Sequence, residues 1–209
     1  SMGVKEKVIE LLPEILGNMD KETSAMLRSE YKKKGVEFFL NTKVTEVSAE
    51  KVFVEKNGKA DTIEADKILG SVGRRPIAKS LGLENLAIEM QGAGVKVNEH
   101  MLTSHPHVYA AGDITGFSLL AHTAYREAEV AIHHILGIPD EMSYKAIPAV
   151  VYTNPELASV GKTEEELVAN GESFRVQKIP MTYSGRFVAE NENGNGLCNL
   201  ITDDEDRII

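Results

Sequence analysis

The sequence is poor in the residues that most directly announce chemistry. Among 209 residues there is one cysteine, Cys198. A single thiol permits no intrachain disulfide, which suits a reducing compartment, so the cytoplasm is the expected location. No apolar run approaches the roughly 20 residues that a membrane span needs. The start, Ser1-Met2-Gly3-Val4-Lys5, lacks the apolar stretch of a signal peptide, and Ser1 before Met2 reads as a cloning scar. Basic charge is also scarce. With 23 Lys and Arg against 32 Asp and Glu the formal net charge is -9. Lys32-Lys33-Lys34 and Arg74-Arg75 are the only basic clusters, too short for the basic stripe that nucleic acid requires. The histidines His105, His107, His122, His133 and His134 show no metal-site spacing with cysteine or carboxylate, and His133 and His134 are expected on an exposed helix face. Cys198, between Leu197 and Asn199, reads as a buried apolar residue, and Asp203-Asp204-Glu205-Asp206 as a solvated turn.

What remains is ordinary globular material, 42% hydrophobic, enough for one large domain or two to three small ones. Three blocks emerge, with no internal repeat. In residues 1–75, Lys7-Val8-Ile9-Glu10 reads as a short strand, and Pro13 argues against a helix before it. A helix follows from Asp20, its expected N-cap, to Lys34, with Gly35 as its stop. Val36–Leu40 is a strand. Lys43–Val47 and Lys51–Glu55 alternate like half-buried strands, and Asn57-Gly58 supplies a hairpin turn to Thr62–Ala65. Residues 76–141 contain Val95-Lys96-Val97, an apolar strand at Val108–Ala111 and a helix from about Ala121 to Leu136, ended by Gly137 and Pro139. Residues 142–209 read mainly as strands, with one helix at Thr163–Asn170 opened by a Thr163/Glu166 capping box and closed by Gly171. Arg207-Ile208-Ile209 reads as a strand interrupted in its middle.

The strongest local signal is Thr103-Ser104-His105-Pro106-His107-Val108-Tyr109-Ala110-Ala111-Gly112-Asp113. An apolar strand ends in small residues, a Gly and an Asp. Small residues let backbone approach a ligand closely, and the carboxylate can accept bonds from sugar hydroxyls; the alternative is a plain turn. Soon after, Leu119-Leu120-Ala121-His122 opens a helix whose N-terminus offers N–H groups and a positive dipole end. Glu10 ends a strand as an acid does where it accepts ribose hydroxyls, or as a solvated terminus does.

These stretches resemble the pyridine nucleotide-disulfide oxidoreductases, and among them the dihydrolipoamide dehydrogenases. The segment around Gly112 and Asp113 is similar to the family's second FAD-binding motif. Leu119-Leu120-Ala121-His122 matches a Met-Leu-Ala-His that borders the flavin, with Leu119 in place of the usual Met. Lys5–Leu16 is similar to the strand carrying the ribose-binding acid, which makes Glu10 a contact to NAD rather than NADP. Gly70-Ser71-Val72-Gly73-Arg74-Arg75-Pro76 resembles a motif whose Gly, here Gly73, lies close to NAD, and Val44 matches a position whose backbone reaches the adenine. Ala146–Gly161 resembles the opening of the family's dimerisation domain.

The resemblance spans Val4 to Ile209. It implies an α/β chain made of a partial two-dinucleotide-binding, Rossmann-like FAD/NAD segment followed by the start of an α+β dimerisation domain. It also implies FAD and NAD as cofactors, a homodimer, and a lipoyl group of a 2-oxo acid dehydrogenase complex as the partner of the parent enzyme. Other flavin disulfide reductases, or a non-catalytic assembly piece, are the alternatives. One cysteine cannot form the dithiol couple such chemistry needs, no His follows His134 to act as base, and both Gly-x-Gly-x-x-Gly loops are absent. Gly92-Ala93-Gly94 and Gly194-Asn195-Gly196 lack the strand-turn-helix setting of such loops. The expectation is therefore an internal segment without catalytic residues, whose unpaired strand edges favour oligomerisation, rearranged packing or partial disorder.

Overall fold

The computed structural model describes residues 3–191 and 194–209, so the reading of Ser1 and Met2 falls outside the described residues. It divides into two compact units, one of Ser1–Ile68 with Pro148–Ile209 and one of Leu69–Ile147. In the first, β1 (Lys7–Ile9) and β2 (Glu37–Phe39) pair in parallel across α1 (Lys21–Lys33), the strand-helix-strand order expected of a nucleotide-binding α/β segment. Asp20 caps α1 through a 2.9 Å bond from the Thr23 backbone N–H. Glu22 in its first turn and Lys32 and Lys33 in its last complement the helix dipole. Leu27 is the buried hydrophobe of this helix.

An antiparallel sheet of β3 (Lys43–Val47), β4 (Lys51–Lys56) and β5 (Lys59–Glu64) follows. Asn57 and Gly58 both adopt positive φ, as the tight β4–β5 turn requires. Val52, Val54 and Ile63 form the core here, packed against Ile9, Phe39 and Ile68. The half-buried alternation expected of Lys43–Val47 is not found. All five residues of β3 are exposed, and the register shifts between Val44 and Glu46. As an edge strand with its pleat interrupted, β3 does not hold one face against the core.

The C-terminal part of this unit carries β8 (Ala149–Val151) paired with β9 (Leu157–Ser159), and β10 (Arg175–Pro180) paired with β11 (Leu197–Thr202). Between them lies α3 (Glu164–Asn170), with the Thr163/Glu166 capping box in place, Gly171 closing it and Leu167 fully buried. A second helix, α4 (Gly185–Glu190), was not expected; Ser184 caps it by accepting from the Phe187 N–H. Cys198 is exposed rather than buried, because on β11 it lies on the open face, opposite Ile179 of β10. The last residues pair with β11 through a Thr202–Ile208 bridge and a bond from the Ile209 N–H to the Ile201 carbonyl. Asp203 is tied into its turn, accepting from the Arg207 side chain at 2.8 Å.

The second unit holds the hairpin of β6 (Met90–Gln91) and β7 (Gly94–Val95), and the long helix α2 (Ala121–Ile135). Met101, Val130, Ala131 and Met142 make its core, with Val97, Tyr109, Tyr144 and Ile147 packed around them. Val108–Ala111 does not form the expected strand. Only a Leu102–Tyr109 bridge is present, with bonds from the Thr103 N–H to the Val108 carbonyl and from the Ala110 N–H to the Met101 carbonyl. Positive φ at His107 turns the chain immediately before, and no described residue offers Val108–Ala111 a continuous ladder.

Candidate functional site

The residues singled out around Gly112 converge in the second unit. Gly112 has φ 82° and ψ -158°, a region essentially closed to other residues. A Cβ there would meet the Ala124 Cβ at 3.3 Å, so the turn also presses against α2. Asp113 opens a single 3-10 turn, Asp113–Thr115, and its side chain is exposed. Thr115 is buried and its hydroxyl donates to the Gly112 carbonyl at 2.9 Å. From the other side Gly94 of β7 packs so tightly that an added Cβ would lie 2.2 Å from the Thr115 carbonyl oxygen. Gly94 is thus required by close approach.

Leu119 is exposed and Leu120 half-buried, and Leu120 is the N-cap of α2 with no side-chain capping bond. Ala121 and His122 stand exposed in the first turn. Thr123 is buried and shares a 2.8 Å hydrogen bond with Ser118, which fixes the approach to the helix. An exposed carboxylate and an uncapped helix start therefore lie on the two sides of one short connection. That arrangement fits a polyhydroxy ligand with an electron-rich end, since the carboxylate accepts from hydroxyls and the helix start favours negative charge.

Beneath this turn lies a residue that sequence reasoning missed. Glu127 of α2 is fully buried. One carboxylate oxygen accepts the Gly112 N–H at 2.5 Å and the other accepts the Tyr144 hydroxyl at 2.6 Å. Burial, and then the neighbouring carboxylate, push the Tyr144 hydroxyl well above the usual tyrosine range. Tyr144 also stacks on Phe117, with ring centroids 5.1 Å apart. Helical spacing alone did not single it out. Thr123, Glu127, Val130 and Ala131 fall on one face, and Glu127 lies in the middle of it.

The other end of α2 corrects the expectation for its histidines. His133 and His134 are half-buried and engaged rather than solvent-facing. Tyr109 bonds His134 at 2.7 Å and His100 stacks on the same ring at 4.6 Å. His133 bonds Asp140 at 2.7 Å, and Arg126 grips both Asp140 oxygens at 2.8 and 2.5 Å. Arg126 first and His133 second hold the Asp140 carboxyl down to about 2. These side chains fold the segment after the helix back onto it. Among the described residues no cluster of His, Cys, Asp and Glu could hold a metal ion, and no helix is long and apolar enough to cross a membrane.

The residues assigned to the second nucleotide are less gathered. Glu10 stands half-buried at the end of β1, its carboxylate accepting the Leu12 N–H at 2.9 Å. Its own N–H donates to the Phe39 carbonyl and its carbonyl accepts from Thr42, so the backbone at the strand end is fixed. Val44 lies on β3 and is exposed rather than a plain core residue. Gly73 belongs to the other unit, where it is exposed with positive φ.

Comparison with known proteins covers the whole chain. The family model described as pyridine nucleotide-disulphide oxidoreductase matches residues 1–132, and that of the same family's dimerisation domain matches residues 147–209. Dihydrolipoyl dehydrogenase 3 of Pseudomonas putida is 39% identical over 98% of this chain and 45% of its own length. Dihydrolipoyl dehydrogenase of Geobacillus stearothermophilus is 39% identical over 100% of this chain, again 45% of its own length. Among solved structures, LpdA from Mycobacterium tuberculosis superposes with a TM-score of 0.83 at 27% identity, over 97% of this chain and 44% of that one. The HOCl-induced flavoprotein disulfide reductase RclA from Escherichia coli shares the fold, with a TM-score of 0.83 at 24% identity over 99% of this chain and 48% of that one. The chain spans about half the length of the relatives it matches.

Proposed function

The chain belongs to the pyridine nucleotide-disulphide oxidoreductase family, and from that premise we propose that it contributes part of the FAD and NAD sites of a dihydrolipoamide dehydrogenase. The observation that carries the reading is the Gly112–Thr115 turn beside the uncapped start of α2. In it Gly112 sets the turn from which Asp113 accepts hydroxyls of the flavin side chain, while Leu119, Leu120, Ala121 and His122 border the ring system. Glu10 accepts ribose hydroxyls of NAD and disfavours a 2′-phosphate, with Val44 close to the same cofactor; Gly73 is assigned to NAD by its motif alone. Bound FAD supplies the relay that takes electrons from a dithiol to the nicotinamide.

The wider reading divides the chain into an NAD-binding part (1–75), a returning part of an FAD-binding domain (76–141) and the opening of a dimerisation domain (142–209). It is supported by the dimerisation-domain match that starts at residue 147. The physiological substrate would be a lipoyl group of a 2-oxo acid dehydrogenase complex, and the assembly a homodimer in the cytoplasm. With Cys198 its only thiol, the 209-residue chain by itself has no dithiol couple and does not turn over dihydrolipoamide.

Titration of the purified chain with FAD, followed by flavin fluorescence and absorbance, tests the site. A charge-assisted bond to a hydroxyl contributes about 1.5–3 kcal/mol, so Asp113→Ala should weaken binding roughly 10- to 150-fold. Equal FAD affinity of wild type and Asp113→Ala would remove the basis of the assignment. Dihydrolipoamide turnover above that of free FAD would contradict the inactivity.

A further inference from the structure

We infer that Glu127, held by Tyr144, is the positioning residue that sets the Gly112–Thr115 turn against the start of α2, and thereby the two halves of the flavin site. The inference rests on the reading of that turn as an FAD site and assigns to it residues that do not themselves contact the ligand. Both oxygens of a fully buried carboxylate are engaged, one by the Gly112 N–H at 2.5 Å and one by the Tyr144 hydroxyl at 2.6 Å. A buried carboxylate stripped of either donor would be costly. The group therefore holds its neighbours as firmly as they hold it.

The geometry says what is held. The Gly112 N–H is fixed by Glu127 and the Gly112 carbonyl by the Thr115 hydroxyl, so the peptide groups on both sides of Gly112 have set orientations. The backbone leading into Asp113 follows from them. Glu127 is itself a residue of α2, five positions after His122. Its bond to Gly112 thus couples the turn carrying the exposed carboxylate to the helix whose first turn forms the other half. Tyr144 closes the arrangement from the segment after the helix, anchored by its stack on Phe117 and a 3.9 Å contact to the Met101 sulfur. Burial and the adjacent carboxylate push its hydroxyl up, which keeps it a donor at neutral pH.

The test uses the 209-residue chain with two readouts, FAD affinity and amide hydrogen exchange at Gly112 in the absence of FAD. Glu127→Gln keeps an acceptor for Gly112 and should bind FAD within about threefold of wild type, while Glu127→Leu removes the acceptor and should lose at least about tenfold. The Gly112 N–H should exchange about tenfold faster in Glu127→Leu over and above any change at Val130, whose amide reports the stability of the helix as a whole, which separates positioning from general unfolding. Should Glu127→Leu fail to fold, Tyr144→Phe leaves the carboxylate with one donor and should show the same two effects more weakly. Wild-type FAD affinity in Glu127→Leu, or undiminished Gly112 protection in it, overturns the inference. If the wild-type chain binds no FAD, the reading of the site falls instead, and the exchange of Gly112 alone then decides whether Glu127 sets the turn.

Discussion

Replacing Gly112 by Ala tests the physical account of the turn without reference to any ligand. Two costs follow from the structure. The φ and ψ of Gly112 lie where an alanine is strained by about 1–3 kcal/mol. The new Cβ would meet Ala124 at 3.3 Å, so either the turn or α2 must yield by a few tenths of an ångström. Such a shift weakens the 2.5 Å bond to Glu127, and a hydrogen bond to a charged group is worth about 1.5–3 kcal/mol. Against this, alanine lowers the entropy of the unfolded chain and returns about 0.4–1 kcal/mol. The net expectation is a loss of about 2–4 kcal/mol in this unit. Native-state hydrogen exchange at Val130 and Ala131 of α2 reads that loss locally, as roughly 30- to 700-fold faster exchange. Gly137→Ala is the control. Gly137 also has positive φ but meets nothing within 4 Å, so it should cost only about 1–2 kcal/mol. If Gly112→Ala exchanges no faster than Gly137→Ala, the turn is not constrained as argued.

Three further outcomes follow from other parts of the chain. Asp140 has its pKa depressed from 3.8 to about 2, chiefly by Arg126 and then His133, so its tether on α2 is at full strength above pH 4 and is lost as pH falls towards 2. Carboxyl NMR should place its midpoint in that range, and Asp140→Asn should abolish the acid step in the melting of the helix end. Thr163→Ala removes the capping box of α3 and should cost about 1 kcal/mol, read as faster amide exchange at Leu167. Cys198, exposed on β11, should react with a thiol reagent in the native chain at close to the rate seen in denaturant; strong protection would return it to the core position expected from its apolar neighbours.

Local punctuation was the most legible layer of the sequence. Asp20, the Thr163/Glu166 pair, Gly171 and Asn57-Gly58 all act as expected, because capping and turn chemistry are decided within a few residues. Strands were less legible. Val108–Ala111 has strand composition and no ladder, and Lys43–Val47 alternates without burying a face, because pairing and burial depend on neighbours distant in sequence. Cys198 fails for the same reason, since alternation along β11 does not say which of its two faces is covered.

Helix α2 shows most clearly where periodicity stops informing. Ala121, Tyr125, Ala128, Ile132 and Ile135 recur at spacings of four and three, the pattern of an apolar stripe. The structure exposes it and buries the face of Thr123, Glu127, Val130 and Ala131. A face that includes a carboxylate can be the inner one only if that carboxylate is met by donors, and both come from far along the chain, Gly112 and Tyr144. The burial of Glu127 therefore requires the turn and the segment after the helix to be in place together. The end of the helix was readable because Gly137, its stop, is local. The orientation of the helix was not, because it depends on these two nonlocal bonds, and the same bonds fix how the helix start and the Gly112–Thr115 turn face one another.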